Sequence, residues 1–171
     1  MVGIVAFDQI TKLLVVANIP HRTSVEVIPN IFRFTYIRND GAAFGMLDNA
    51  RWVFMVFSSI AIIGVLAYLF IKKPKDKLLC ISLAFVVGGG VGNMIDRFRL
   101  GYVIDFLDFC AFPKLWMWTF NVADSFVVVG AGMLMLWMVL DLIKEMKEEK
   151  AQKLAAAAAK NASDTEESND D

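Results

Sequence analysis

Histidine is nearly missing from this chain: His21 stands alone among 171 residues. A lone histidine cannot build a zinc site, and neither a His-Glu-x-x-His segment nor a Gly-x-Ser-x-Gly elbow occurs. Metal-dependent proteolysis and Ser-His-Asp hydrolysis are therefore poorly served. His21 itself reads as a solvated or interfacial loop residue. Cysteine is scarce as well, and Cys80 and Cys110 lack the spacing of a metal site, so they read as lone packing residues and not as a disulfide. No basic patch is interleaved with accessible aromatics, which excludes a nucleic-acid partner. Charge is missing from long stretches, because Lys clusters and an acidic tail hold most of it and the net value is only -1.

What is present in excess is apolar surface. Hydrophobic residues make up 57% of the chain and its mean hydropathy is +0.55, too apolar for an ordinary soluble domain and too short for several domains. The expected fold class is an all-α membrane protein with four transmembrane helices and a small extracytoplasmic β-loop domain. The spans fall at residues 2–19, 52–71, 78–95 and 122–143, each near the ~20 residues that cross a ~30 Å hydrocarbon core. The first is the weakest, carrying Asp8, Gln9, Thr11, Lys12 and Asn18. It lacks the basic n-region and the small-residue cleavage site of a signal peptide, so it is kept as a helix. Lysines 72–77 and 144–153 place both termini in the cytoplasm by the positive-inside rule. Residues 1–143 form the membrane domain, and 144–171 a helical extension fading into a disordered acidic tail.

Residues 20–51 read as an extracytoplasmic loop with strand character. Val25 and Val27, then Phe32, Phe34 and Tyr36, alternate with a period of two, and Pro29-Asn30 marks a turn between them. Gly88, Gly89, Gly90 and Gly92 in the third span let another backbone come close.

With this topology the polar residues gather at one membrane level. Lys12, Asn39, Asn93, Asp96, Asp105, Asn121 and Asp124 all fall on the outer side, delivered by segments far apart in sequence. Asp8 and Lys12, four apart on one helical face, can pair and lower the cost of burial. Two carboxylates in such a low-dielectric, water-accessible place cannot both ionise easily. One proton is then shared: the ionised acid takes a proton from water while the protonated one polarises a scissile carbonyl. Spacing alone does not say whether Asp96, Asp105 or Asp108 partners Asp124. It also allows a plainer account, in which Asn121 caps the fourth helix with Asp124 at N3 and Asp96 pairs with Arg97. A carrier using Asp8, Lys12 and Asp124 as intramembrane charges stays open, as does a Ser–Lys peptidase using Ser125, Ser58 or Ser59.

Four boxes carry a resemblance: Asp8-Gln9-x-x-Lys12; Arg38-Asn39-x-Gly41-Ala42-Ala43-Phe44-Gly45; Gly92-Asn93-x-x-Asp96-Arg97 leading to Gly101-Tyr102-Val103-Ile104-Asp105-Phe106; and Phe120-Asn121-x-Ala123-Asp124-Ser125. In this order and spacing, over about residues 7–132, the chain resembles the bacterial lipoprotein signal peptidases (signal peptidase II). The resemblance implies that the loop domain is a β-cradle and that the chain is an aspartyl endopeptidase of the bacterial inner membrane, cutting a diacylglyceryl-modified prolipoprotein just before its lipidated cysteine. Asp105 and Asp124 take the catalytic positions, and Asp8, Lys12, Asn39, Gly41, Asn93, Asp96, Arg97 and Asn121 the supporting or substrate-binding ones. Asp108 matches no catalytic position and reads as an interfacial acid. No metal or organic cofactor is implied; the partners are the prolipoprotein and membrane lipid, and the chain is expected to act as a monomer near the extracytoplasmic face. The chain departs from the family pattern in two places. Met1 is only seven positions before Asp8, where the family's first helix generally begins further upstream, and the acidic tail is longer than the family requires.

Overall fold

The computed structural model describes residues 1–40, 51–111 and 118–167. Its first helix, α1 (Val2–Asn18), stops at Pro20, which forces Ile19 out of the helical region to φ -120 and ψ 118. The chain then folds back as a hairpin of β1 (Ser24–Ile28) and β2 (Phe32–Asn39). At the expected Pro29-Asn30 turn Asn30 adopts φ 59, a left-handed conformation that Asn tolerates, and its N–H donates to Glu26 Oε1 at 2.9 Å.

Two long helices follow, α2 (Arg51–Lys72) and α3 (Lys77–Arg99). Asp76 starts α3 by accepting a hydrogen bond from the Leu79 N–H at 2.9 Å. At the far end Gly101, with φ 88, makes the turn that sends the chain into β3 (Val103–Phe109). After β4 (Thr119–Phe120) comes α4 (Val122–Glu167).

The strands form one antiparallel sheet in the order β1-β2-β3-β4. Its register sets Ile37 opposite Asp105 and Asn39 opposite Val103, with a bulge between Phe34 and Ile37. Tyr36, Ile104 and Phe106 pack on Val15 and Ile19 of α1, so the sheet docks on the C-terminal end of that helix through a small apolar core. The expectation of a sheet confined to residues 20–51 is thus too narrow. Val103–Phe109, read as a connection, is an interior strand, because five of its seven residues are β-branched, aromatic or leucine and only Asp105 and Asp108 disguise the pattern.

Glycines on α3 set how closely the helices approach. A Cβ at Gly88 would meet Ile4 of α1 at 3.0 Å, and one at Gly89 would run into the Ala123 carbonyl oxygen of α4. The close approach expected of this glycine group is therefore real, and it lets α1 and α4 pack on adjoining faces of α3, where a Cβ at Gly92 would meet both Asp8 and Ala123. Among the described residues three helical segments are long and apolar enough to cross a membrane: Met55–Lys72, Lys77–Arg99 and Val122–Lys153.

Residues Met1–Leu134 make one compact unit and Met135–Asp171 a second. The second carries α4 on to Glu167, beyond the span expected at 122–143. Its Lys144–Glu148 and Glu149–Lys153 pairs sit at helical i, i+4 spacing on exposed side chains.

Candidate active site

α1 carries its charge inward. Asp8 and Lys12 are almost wholly buried, at 0% and 1% exposure, while Phe7, Ile10, Leu13 and Leu14 on the same helix are each more than half exposed. A buried ammonium has three hydrogens to place, and Lys12 Nζ places them at 2.9 Å from Asp8 Oδ2, 2.8 Å from Asp96 Oδ2 and 2.9 Å from Asn93 Oδ1. Asp96 therefore pairs with Lys12 and not with its neighbour Arg97, which corrects the plainer account of that residue. Asp8 Oδ1 accepts the Ala123 N–H at 2.9 Å, tying α1 to the start of α4. Asp96 Oδ2 accepts the Ile104 N–H at 3.1 Å, tying α3 to β3.

Asp105 sits on β3 at 2% exposure, and no cation pairs with it among the described residues. Its Oδ1 accepts from Asn121 Nδ2 at 2.6 Å and its Oδ2 from Asn39 Nδ2 at 2.8 Å. Burial raises its carboxyl from 3.8 to about 6, with the charge of Asp124 adding to the rise, while the Asn39 and Asn121 hydrogen bonds and Lys12 oppose it. Asp124, half-buried in the first turn of α4, is held in a matching way: Oδ1 accepts from Asn93 Nδ2 at 2.7 Å and Oδ2 from the Asn121 N–H at 3.2 Å. The two acids are joined through a pair of amides, because Asn121 Nδ2 also donates to Asn93 Oδ1 at 3.1 Å. Every buried side-chain nitrogen and oxygen among the described residues has a partner.

Asn121 serves two ends at once. Its Oδ1 accepts the Asp124 N–H at 2.9 Å, so it is the helix cap that spacing suggested, while its Nδ2 turns to Asp105 and Asn93. Capping and site-building are one arrangement. The alternative Ser–Lys pairing is not formed: the Ser125 hydroxyl donates to the Asn121 carbonyl at 3.0 Å, and Lys12 is surrounded by other groups. Asp108 is on the same strand as Asp105 but bonds Arg33 Nε at 2.6 Å and Thr35 Oγ1 at 2.7 Å, away from the cluster.

Of the residues singled out in the sequence, Asp8, Lys12, Asn39, Asn93, Asp96, Asp105, Asn121 and Asp124 join one hydrogen-bonded network, and Arg97 borders it through a 3.5 Å contact with the Asn93 carbonyl. Gly41 and the Ala42–Phe44 turn lie outside the described residues. Gln9 was passed over as a site residue; its Nε2 lies 2.9 Å from Asp96 Oδ1, 3.2 Å from Asp8 Oδ2 and 3.2 Å from the Gly92 carbonyl. Its place in the Asp8-Gln9-x-x-Lys12 box was the available signal. Among the described residues no group of three or more His, Cys, Asp and Glu side chains could hold a metal ion.

A cavity of about 290 Å³ opens beside Asp124 between α2, α3 and α4. Asn93, Arg97 and Asp124 form its polar end, and Ile62, Val65, Val86 and Val127 are among its apolar walls. A carboxylate at the head of an apolar slot is suited to a ligand that joins a polar group to an apolar one.

Fold and site together define a class, that of small helical membrane enzymes bearing an antiparallel sheet. Two solved structures, each described as a bacterial membrane enzyme studied by the in meso method, match with TM-scores of 0.75 and 0.73 at 30% identity; they cover 82% and 80% of this chain, and the match takes in 85% and 88% of theirs. The sequence comparisons are more specific. The family model for Signal peptidase (SPase) II matches residues 1–140. The lipoprotein signal peptidase of Symbiobacterium thermophilum is 45% identical over 136 residues, 80% of this chain and 89% of the relative, and that of Caldanaerobacter subterraneus subsp. tengcongensis is 47% identical over 137 residues, 78% and 91%. The chain belongs to the signal peptidase II family, and is a membrane peptidase.

Proposed function

We propose that this peptidase is an aspartyl enzyme whose catalytic pair is Asp105 and Asp124, and that it removes signal peptides from diacylglyceryl-modified prolipoproteins by cutting just before the lipidated cysteine. One observation carries the assignment: Asp105 and Asp124 are the two acids of the cluster held by amide donors alone, whereas Asp8 and Asp96 are both paired with Lys12. Asp8 and Asp96 are taken up by their ion pairs with Lys12. Acids held by neutral amides can exchange a proton, and two that share a low-dielectric site share one between them. The ionised member takes a proton from the attacking water as its oxygen adds to the scissile carbonyl, and the protonated member hydrogen-bonds that carbonyl as negative charge develops on it. Asn39, Asn93 and Asn121 orient the carboxyls; Lys12, Asp8, Asp96 and Gln9 brace the asparagines and the helix start from behind.

The proposal includes a fourth membrane span. α1 is 17 residues long, and at about 1.5 Å per residue it is shorter than a ~30 Å core. Its buried charges and exposed Phe7, Ile10, Leu13 and Leu14 are the distribution of a helix that faces lipid outward and a polar network inward. Lysines 72–77 and 144–153 then set both termini in the cytoplasm and the Asp pair near the outer face of the bacterial inner membrane. The apolar cavity beside Asp124 gives the acyl chains of the substrate a lateral way in from the bilayer.

The test uses purified full-length protein in detergent with a diacylated prolipoprotein, scored by gel shift. Asp105→Asn and Asp124→Asn should each lower cleavage by at least about a thousandfold, within the range for a lost acid–base group. Ser125→Ala should cleave normally. Full activity in either Asn variant sinks the pair.

A further inference from the structure

A second cavity, of about 110 Å³, lies on the opposite side of Lys12 and Asp96 from the cavity beside Asp124, between α1, the end of α3 and the sheet. Tyr36 and Tyr102 form one wall, Leu13 and Val16 of α1 another, and Arg99 with Leu100 the rim. Arg38 lies across the same two tyrosines, its guanidinium 5.0 Å from the Tyr102 ring centre and 5.8 Å from that of Tyr36, with Nε 3.3 Å from the Tyr36 hydroxyl. His21 stacks edge-on against Tyr36 at 5.3 Å, and Arg22 is fixed beside it, its N–H donating to the Tyr36 carbonyl at 2.9 Å.

The charge left over at this mouth is positive. Among the described residues Arg22, Arg38 and Arg99 form no ion pair, and all three are exposed. The acid within the cavity, Asp96, has both oxygens occupied, Oδ1 by Gln9 and Oδ2 by Lys12 and the Ile104 N–H. Asp40, at the end of β2, is the acid whose charge reaches both Arg38 and His21. Directly below the basic rim the surface turns apolar: Leu13 is 58% exposed, Val16 44% and Leu100 41%. An aromatic wall that holds a guanidinium by its face leaves the N–H edges of that guanidinium free for an oxyanion.

From this juxtaposition we infer that the cavity between α1, α3 and the sheet is a binding site for one anionic phospholipid, with the phosphate held by Arg38 and Arg99 and an acyl chain laid over Leu13, Val16 and Leu100. The occupant is a bilayer lipid and not a soluble anion, because the apolar strip continues from the rim along the lipid-facing side of α1. The inference rests on the membrane placement proposed above, and it is independent of the catalytic pair. Such a lipid would clamp the sheet to α1 on the side away from the cavity beside Asp124.

The test counts lipids retained by the full-length protein in native mass spectrometry after addition of phosphatidylglycerol. Wild type should hold one molecule, should not hold diacylglycerol, which lacks the phosphate, and should not release its lipid to an equal concentration of glycerol phosphate, which lacks the chains. Retention should fall about fivefold for each arginine removed in R38Q and R99Q, the usual weight of one basic residue near an anionic headgroup. R38K/R99K should keep most of it, and R33Q, whose guanidinium belongs to Asp108, should keep all of it. R99Q carries the test even if changes at Arg38 disturb folding, since among the described residues Arg99 stacks on no ring. Wild-type retention in R99Q or in R38Q/R99Q overturns the site, as does equal retention of diacylglycerol; displacement by glycerol phosphate overturns the lipid as occupant. Asp105→Asn should keep the lipid while losing cleavage, so failure of one proposal leaves the other standing.

Discussion

Asp8 and Asp96 on one side of the interior, and Asp105 and Asp124 on the other, are four acids withdrawn from water within one network, and they are held by different chemistry. The first two share the Lys12 ammonium, at 2.9 and 2.8 Å, and each also accepts a backbone N–H that joins two elements of the fold. The second two receive hydrogen bonds from Asn39, Asn93 and Asn121, and among the described residues no cation forms an ion pair with either. A buried cation partner fixes a carboxylate between elements of the fold, which suits an acid that ties helices together. Amide partners orient a carboxyl and leave its proton exchangeable, which suits an acid that must give and take one.

The strongest way to break this contrast is to remove the cation. Lys12→Met should cost about 3–5 kcal/mol, the usual result of stranding buried partners, and should lower the thermal unfolding midpoint in detergent more than any change at Asp105 or Asp124. A midpoint unchanged in Lys12→Met would mean that Asp8 and Asp96 do not depend on it.

Sterics probe the same region with a smaller effect. A Cβ at Gly92 would sit 2.6 Å from Asp8 Oδ2, and Asp8 is pinned by Lys12 and Ala123, so Gly92→Ala should cost about 1–3 kcal/mol. Gly64→Ala on α2, where a Cβ meets nothing within 4 Å, should be neutral or slightly stabilising in the same melt.

A pH series sharpens the other half of the comparison. The Asp105 carboxyl titrates at about 6 in the folded protein against an ordinary 3.8, so the folded state binds this proton more tightly than the unfolded chain does. Its contribution to stability is fully present below about 3.8 and is lost as pH rises through about 6. Asp105→Asn should flatten that part of the unfolding profile. Asp124→Asn, by removing a neighbouring negative charge, should move the Asp105 titration to lower pH, read from its carboxyl carbon by NMR; a move upward would contradict coupling between the two acids.

The smallest effect belongs to Arg33 and Asp108, a cross-strand pair at the rim of the sheet with Arg33 largely in solvent. Arg33→Gln should cost no more than about 1 kcal/mol and leave cleavage intact.

Much of this molecule could be read from residue order alone. The apolar runs became α2, α3 and α4, the Pro29-Asn30 turn sits where its residues demand it, and the Asp8–Lys12 spacing produced a real ion pair. Local signals suffice where the cause is local. Val103–Phe109 escaped because a strand flanked by a membrane helix and interrupted by two aspartates has no clean alternation of polar and apolar positions, and only its pairing with β2 and β4 identifies it. Spacing offers Arg97 as one plain partner for Asp96, whereas Lys12, 84 positions earlier, is the one it meets, since sequence proximity says little about which buried charges pair.

The stretch from Gly101 to Phe126 shows where the division falls. By its composition the sequence alone determined that acids would sit among aromatic and aliphatic side chains, that Asn121 and Asp124 would open a helix, and that the boxes were those of signal peptidase II, because these depend on residue type and short-range spacing. The tertiary structure decided which partner each acid meets. Asp108 points to Arg33, Asp96 to Lys12, and Asp105 and Asp124 to a shared pair of asparagines, and that sorting depends on the register of β3 against β2 and on α1 and α4 both packing against the glycines of α3. Distances of under 3 Å between side chains tens of residues apart are set by packing, and no local pattern encodes them.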